Sequence, residues 1–226
     1  LEMDTILYSA AISACGAVGE WTKALELLSD MGCSAVQTNI VAYSAAITAC
    51  ERGGRWAGAL TVMLDTLRST VEMNTIVYNA AISACEKGGE WRHACILLAS
   101  LQLHSVEADI ITYNSGISAC EKGAQWSQAL AILSAMQLDG VTPDVISYNA
   151  AISACSREDW ERSLELAAEM RLHGVQPDVI TYNAAISACE KGEAWQMAVW
   201  LLAEMRASHF KATVVTYGAA ISACEK

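Results

Sequence analysis

Long apolar runs, proline and phenylalanine are scarce in this 226-residue sequence, which has two prolines and one phenylalanine. No apolar stretch approaches the roughly 18 residues that a membrane-spanning helix needs, so we expect no membrane span. Because 54% of the residues are hydrophobic, the chain can bury a core and is not a disordered chain. The first residues, Leu1-Glu2-Met3-Asp4, are typical of neither a signal peptide nor a transit peptide. We interpret the chain as a fragment or a processed form.

Positive charge is scarce as well. The chain has 14 basic and 25 acidic residues, which gives a formal net charge of −11. Proteins that bind phosphate groups normally have a basic surface patch. Total charge taken alone therefore argues against a nucleic-acid partner.

Metal-binding and catalytic motifs are missing. No CxxC pair occurs, and no cluster of cysteine and histidine has the spacing of a zinc site. The four histidines are scattered without a paired carboxylate or cysteine, which is typical of surface or turn residues: His93, His104, His173 and His209. We predict that the chain is not an enzyme and has no metal, no cofactor and no small-molecule substrate.

The nine cysteines are predicted to be reduced thiols. Equivalent residues of stacked repeats lie on the order of 10 Å apart, whereas a disulfide needs Cα atoms within about 7 Å. We expect buried, small apolar side chains in a reducing compartment. Cys33 and Cys95 are extra, and the other seven share one repeat position: Cys15, Cys50, Cys85, Cys120, Cys155, Cys189 and Cys224.

Tyrosine and tryptophan recur with a period of 35 residues. One unit has 34 residues, because its turn Ser156-Arg157-Glu158-Asp159-Trp160 is one residue shorter than the others. A period of this length predicts stacked repeats. The tyrosines are Tyr8, Tyr43, Tyr78, Tyr113, Tyr148, Tyr182 and Tyr217. The tryptophans in step with them are Trp21, Trp56, Trp91, Trp126, Trp160 and Trp195.

Each unit contains the pattern of two helices. In the third unit, Tyr78, Ile82 and Cys85 form one apolar stripe of a first helix over residues 75–87, and a second helix runs from about Trp91 to Leu101. The residue four before each tyrosine is a good N-cap for the first helix. These residues are Asp4, Asn39, Asn74, Asp109, Asp144, Asp178 and Thr213.

One such helix pair cannot bury both of its faces, so stacked pairs must share a continuous core. We therefore predict an all-α fold, a right-handed α-solenoid superhelix of about 6.5 helix-turn-helix repeats. Residues 1–226 form a single domain in this prediction. The repeats start near residues 5, 40, 75, 110, 145 and 179, and a half repeat from 214 stops at Lys226.

Three polar rows share one face of the first helices. The first row follows the tyrosines with serine or asparagine and ends in Gly218, and the second row carries serine or threonine four residues further on. The third row holds six of the 14 basic residues: Arg52, Lys87, Lys122, Arg157, Lys191 and Lys226. Amides can bond base edges and cations can contact phosphates, so this face suits single-stranded RNA. Six neutralised phosphates predict a log-log salt slope of about −4.

The three polar rows can also arise without any bound RNA. Polar residues on a helix are usually a solvated face, capping accounts for the Asp and Asn row, and recent duplication copies surface residues unchanged. Glutamates beside the cations partly cancel the third row: Glu51, Glu86, Glu121, Glu190 and Glu225. Duplication does not account for the variation of the Ser or Asn row and of the cap row, because their neighbours stay constant.

The segment Pro177-Asp178-Val179-Ile180-Thr181-Tyr182-Asn183, with its 35-residue period, strongly resembles the pentatricopeptide repeat family. The resemblance covers nearly the whole chain. It implies organellar RNA binding with one base per repeat, selected by the residue after the tyrosine and the residue just before the next repeat. It implies plastid or mitochondrial localisation. Editing or nuclease domains that some members carry have no counterpart here.

The resemblance implies a set of site residues. The base-selecting pairs are Ser9 with Asn39, Ser44 with Asn74, Asn79 with Asp109, Asn114 with Asp144, Asn149 with Asp178, and Asn183 with Thr213. The base-wedging residues are Ile6, Val41, Ile76, Ile111, Ile146 and Ile180. The implied target is roughly 5′-AAUUU-pyrimidine-3′, and Gly218 is expected not to read a base. The alternative partner is a protein assembly for which the repeats are a scaffold or accessory subunit, which the acidity and the groove glutamates favour.

Overall fold

The chain is built from pairs of α-helices. This computed structural model describes residues 4–34, 36–69 and 71–225, and within these ranges it contains thirteen helices and no strand. The prediction of an all-α repeat fold is confirmed. The first helices of the repeats are α1 (Thr5–Val18), α3 (Ile40–Arg52), α5 (Thr75–Gly88), α7 (Ile110–Lys122), α9 (Val145–Cys155), α11 (Val179–Lys191) and α13 (Val214–Glu225). The second helices are α2 (Trp21–Cys33), α4 (Trp56–Arg68), α6 (Trp91–Leu103), α8 (Trp126–Leu138), α10 (Trp160–Leu172) and α12 (Trp195–Ala207).

The first helices begin where a polar side chain caps them. Asn39 Oδ1 accepts a hydrogen bond of 2.9 Å from the Ala42 N–H. Asp178 accepts from the Thr181 N–H, while the Thr181 hydroxyl accepts from the Asp178 N–H, which makes a capping box. A cap of this kind stabilises a helix by about 1 kcal/mol. None of the helices in the described ranges is both long enough and apolar enough to cross a membrane.

The chain divides into two compact units, and the first covers residues 1–119. Helix α3 packs against α1, α2, α4 and α5. Tyr78, Ile82 and Cys85, the stripe predicted for the third repeat, are fully buried in α5. Met31 and Met63 of the second helices are buried in the same core. Burial between neighbouring repeats replaces the single compact core of an ordinary domain.

The second unit covers residues 120–226. Helix α9 packs against α8, α10 and α11, and α11 packs against α10, α12 and α13. Tyr148 and Ile152 of α9 are fully buried, and Met170 of α10 is buried as well. The same two stripes that form the core of the first unit therefore form the core of the second.

The recurring cysteines are free thiols, and most of them lie in the core. Burial raises the pKa of Cys50, Cys155 and Cys189 to about 11 and that of Cys85 to about 12. These thiols stay protonated at neutral pH and act as small apolar groups. The predicted burial is wrong at the two ends. Cys15 is half-buried and Cys224 is exposed, because within the described residues α1 and α13 each pack against a neighbouring repeat on one side only.

Tryptophans of the second helices pack against glycines of the following repeat. A Cβ atom at Gly88 would lie 2.4 Å from Cδ1 of Trp56, and one at Gly192 would lie 2.3 Å from Cδ1 of Trp160. Real Cβ atoms essentially never come so close to another atom, so each indole occupies the space that the glycine leaves. The 34-residue repeat has no glycine in its turn, and there the Trp126 indole N–H donates to Glu158 Oε2 at 2.9 Å.

Two of the four histidines bond to buried tyrosine hydroxyls. Tyr78 Oη lies 2.9 Å from His104 Nδ1, and Tyr148 Oη lies 2.6 Å from His173 Nδ1. Both histidines follow the last residue of a second helix, α6 or α10. They are turn residues that satisfy a buried polar group, a pairing that spacing along the sequence does not reveal.

Candidate nucleic-acid interface

A row of aliphatic side chains on the first helices is exposed to solvent. In each case the side chain is two residues before a buried or nearly buried tyrosine. The row consists of Ile6 (77% exposed), Val41 (51%), Ile76 (64%), Ile111 (58%), Ile146 (61%) and Ile180 (60%). More than half of the surface of each residue stays in water, so burial on folding alone does not account for aliphatic residues at this position in six repeats.

The amide of Asn79 is held between two side chains of the following repeat. Asn79 Nδ2 donates to both carboxylate oxygens of Asp109, each at 3.1 Å, and Thr112 Oγ1 donates to Asn79 Oδ1. Burial opposes ionisation of Asp109, but hydrogen bonds from Thr112, Asn79 and the Ile111 N–H outweigh it and lower the pKa of this carboxyl group. Asn79 lies one turn beyond Ile76 on α5, so the oriented amide and the exposed aliphatic side chain share a helix face.

The second unit repeats this arrangement around Asn149. Its Nδ2 donates to Asp178 Oδ1 at 3.1 Å, and Thr181 Oγ1 donates to its Oδ1 at 2.6 Å. Burial again opposes ionisation of Asp178, and again the hydrogen bonds, the strongest from the Thr181 N–H, lower its pKa. Two of the predicted base-selecting pairs are thus directly bonded in the same way.

The other predicted pairs differ among themselves. Ser9 Oγ donates to Asn39 Oδ1 at 3.2 Å, so the first pair is also joined. Ser44 donates to the Ile40 carbonyl at 2.8 Å instead of to Asn74. The last pair is linked indirectly, because Thr216 bonds both Asn183, at 2.6 Å, and Thr213, at 3.0 Å. Asn114 lies in the first unit and Asp144 in the second.

Two hydroxyl groups of the second polar row contact glutamates of the preceding repeat. Ser83 Oγ donates to Glu51 Oε1 at 2.9 Å, and Ser118 Oγ donates to Glu86 Oε1 at 3.1 Å. Lys87 Nζ donates to the same Glu51 oxygen at 2.9 Å. Glu51 therefore neutralises the cation of the next repeat rather than Arg52, its neighbour in sequence.

The remaining cations of the third row have unequal surroundings. Arg52 donates to the Ala17 carbonyl at 2.6 Å. Lys191 donates to Ser156 Oγ at 3.3 Å, and the pKa of Lys191 is lowered by partial burial and by the charge of Arg157. Arg157 is exposed and makes no ion pair with the described residues. Lys122 has partners of its own, and the prediction for Lys226 lies outside the described residues.

Metal-binding clusters are absent from this face and from the rest of the described chain. Nowhere in the described ranges do three or more histidine, cysteine, aspartate or glutamate side chains come close enough together to hold a metal ion. The aspartates and glutamates described above already form hydrogen bonds or ion pairs with helix-start N–H groups, hydroxyl groups or a lysine. What the face offers is hydrogen-bonding amides, exposed aliphatic side chains and a few cations.

Family models match the chain along most of its length. The model of the PPR repeat family matches residues 108–157, 143–191 and 177–226. A second model, of the PPR repeat, matches residues 6–34 and 76–105. The chain belongs to the pentatricopeptide repeat (PPR) family. No curated protein matches this PPR chain.

Solved PPR structures have the same fold. The crystal structure of the PPR protein PPR10 from maize covers 97% of this chain with a TM-score of 0.70 and 23% sequence identity. PPR10 in complex with an 18-nt psaJ RNA element covers 98% with a TM-score of 0.72. The PPR domain of Arabidopsis thaliana protein-only RNase P 1, in complex with tRNA, covers 80% with a TM-score of 0.69 and 16% identity. The PPR chain spans about a third of the length of PPR10 (32% and 31%) and nearly all (95%) of the RNase P 1 domain.

Sequence reasoning missed the hydroxyl residues of the site. Thr112 and Thr181 come directly before a tyrosine. Their side chains are almost completely buried beneath the face of the first helices that carries the exposed aliphatic row. Their positions match buried residues of the core stripe in other repeats, such as Val77. A hydroxyl group at a core position is a usable signal, because buried hydroxyls need a partner.

Proposed function

We propose that this PPR chain binds single-stranded RNA along the face of its first helices, with one base per repeat. In this proposal the exposed aliphatic row inserts between successive bases, and the residues after the tyrosines select each base together with the caps of the following repeats. The cations Arg52, Lys122, Arg157, Lys191 and Lys226 contact phosphates, and Lys87 contacts one only when Glu51 releases it. The chain binds RNA without catalysing a reaction on it.

The recurring combination of Ile76 and the Asn79–Asp109 pair is the observation that supports this function best. Ile76 offers an apolar surface, 64% exposed, on which a base can stack. Asn79 carries a second lone pair on Oδ1 for a base N–H, because Thr112 uses one. An amide held in one orientation loses little entropy on binding, which favours selectivity.

The test is a titration of labelled AAUUUC against a scrambled oligomer of the same composition. Each well-made base contact discriminates by about 1–3 kcal/mol, so we expect the scrambled oligomer to bind at least tenfold more weakly. The triple variant I76S/I111S/I146S removes exposed apolar groups without touching the core and should weaken both complexes. Equal affinity for the two oligomers, or no binding near micromolar protein, would contradict the proposal.

We extend the proposal to RNA of plastids or mitochondria, which the family resemblance supports. The test is the location of a fluorescent fusion of the natural full-length protein. Fluorescence that stays outside both organelles would contradict this extension and leave RNA binding itself untouched.

A protein-binding scaffold is the second candidate function. The Lys87–Glu51 ion pair favours it, because it neutralises a cation that an RNA-binding groove would use. Helix α12 also exposes Trp200 (52%) and Met197 (38%). Purification of the native protein with and without nuclease distinguishes the candidates. A stable, nuclease-insensitive assembly favours the scaffold, whereas recovery of crosslinked RNA favours the first proposal.

A further inference from the structure

A hydroxyl group from the following repeat contacts the amide oxygen of three asparagines in the first row. In every case the hydroxyl residue directly precedes the tyrosine of that repeat. The donor and acceptor pairs are Thr112 with Asn79 at 2.5 Å, Thr181 with Asn149 at 2.6 Å, and Thr216 with Asn183 at 2.6 Å. All three threonines are buried, with at most 2% of their surface exposed.

The neighbouring backbone directs the proton of each hydroxyl towards the asparagine. Thr112 Oγ1 accepts from the Asp109 N–H at 3.1 Å, so a lone pair is used there. An amide oxygen has no proton, so the Thr112 hydroxyl is the donor in the 2.5 Å contact with Asn79 Oδ1, and Asp109 Oδ1 lies farther from it, at 2.8 Å. Rotating the amide by 180° would break this bond and place Asn79 Oδ1 against the Asp109 carboxylate. The amide therefore keeps one order of donor and acceptor.

The contact persists where the carboxylate is missing. Thr213 replaces aspartate as the cap of α13, yet its N–H donates to Thr216 Oγ1 at 2.9 Å and Thr216 still donates to Asn183. Within the described residues, Thr216 makes the single hydrogen bond to the Asn183 side chain. The hydroxyl thus orients the amide independently of the cap.

The sequence pairs the hydroxyl with asparagine throughout the chain. The four asparagines of the first row are each followed, one repeat later, by threonine or serine before the tyrosine: Asn79 by Thr112, Asn114 by Ser147, Asn149 by Thr181 and Asn183 by Thr216. The two serines of the row are followed by aliphatic residues: Ser9 by Ala42 and Ser44 by Val77. A serine hydroxyl rotates freely and has no order of nitrogen and oxygen to fix, so it needs no such partner.

We propose that the hydroxyl residue before each tyrosine is a positioning residue for base selection by the asparagine of the preceding repeat. This inference rests on the proposed RNA-binding function. The threonine does not touch the base. It holds Oδ1 of the asparagine so that the amide presents one donor and one acceptor, in a fixed order, to a pyrimidine edge.

Three isosteric threonine-to-valine variants test the inference, each at a different nucleotide. Thr112→Val should reduce the preference for uracil at the third nucleotide of AAUUUC about three- to tenfold and leave the preference at the fifth nucleotide unchanged. Thr181→Val should do the opposite. Thr216→Val should have the largest effect, at the sixth nucleotide, because no carboxylate supports Asn183. Thr112→Ser keeps the hydroxyl and should restore selectivity.

A purely structural role for the threonines has a different signature. Loss of the capping box would lower the melting temperature and weaken every oligomer equally, without changing the ratio between bases at one nucleotide. If Thr112→Val and Thr181→Val both leave these ratios unchanged while AAUUUC still binds, the inference is wrong and RNA binding stands.

A measurement without RNA separates the two proposals. In the free protein, the side-chain NH₂ group of Asn79 should show restricted motion in ¹⁵N relaxation, and Thr112→Val should release it. If wild type binds no RNA but Thr112→Val releases Asn79, the positioning holds and the proposed function fails. An Asn79 amide whose motion is the same in both proteins overturns the positioning.

Discussion

Removing the carboxylate of Glu51 should make RNA binding more dependent on salt. Each phosphate neutralised on a single strand contributes about 0.7 to the log-log slope. In wild type the Glu51 ion pair keeps Lys87 from a phosphate, so the slope should be shallower than the −4 expected from six free cations. Glu51→Gln keeps an acceptor for Ser83 but releases Lys87 from its ion pair of 2.9 Å. The slope should then become steeper by about 0.7.

Fluorescence anisotropy of labelled AAUUUC at several KCl concentrations measures these slopes. Glu26→Gln is the matched control, because Glu26 forms an ion pair of the same length, 2.9 Å, with Lys23 on the second helix α2. That variant changes the net charge equally and should leave the slope at the wild-type value. A slope near −4 in wild type would refute the neutralisation of the row. Equal slopes for Glu51→Gln and Glu26→Gln would refute the local role of Glu51.

Two further predictions concern the packing between repeats and the thiols. Gly88→Ala should lower stability by about 1–3 kcal/mol, because the new Cβ would lie 2.4 Å from Trp56 Cδ1. Gly32 also lies within a helix, but a Cβ atom there would have no other atom within 4 Å, so Gly32→Ala should leave stability unchanged or raise it by up to about 1 kcal/mol. Urea unfolding followed by circular dichroism measures the stabilities of the two variants. Burial raises the pKa of Cys85 to about 12, so Cys85 should react with a thiol reagent at pH 8 only on unfolding. Exposed Cys33 should react at once, and Cys33→Ser should remove its share of the fast labelling phase. Rapid labelling of Cys85 in the folded protein, or a Gly88→Ala variant as stable as Gly32→Ala, would contradict this packing.

Local signals in the sequence predicted most of the fold. The Asn39 cap and the Tyr78, Ile82 and Cys85 stripe depend on residues within one helix, so spacing along the chain suffices to place them. Spacing placed Asn79 on a polar face, whereas only the family resemblance singled out Ile76, which the structure exposes. These elements repeat because each helix pair has the same local pattern.

Contacts between repeats could not be predicted in the same way. Lys87 pairs with Glu51 and Thr112 with Asn79, although these residues are 36 and 33 positions apart. Which side chains meet across neighbouring helices depends on their offset and crossing angle, and periodicity does not specify either. The sequence indicated that Glu51 partly cancels the row of cations, but not that Lys87 of the next repeat is the cation it pairs with.

The contact between Trp56 and Gly88 has a consequence for how such a chain can change its length. Trp21, Trp56 and Trp160 each meet a glycine of the next copy and not of their own. When a whole unit is duplicated in frame, the upstream tryptophan meets the glycine of the new copy, and the new tryptophan meets the glycine that was there before. Insertion of one full unit that carries the glycine therefore leaves every such junction matched. Gain or loss of part of a unit would bring a tryptophan against a side chain that has no room for it.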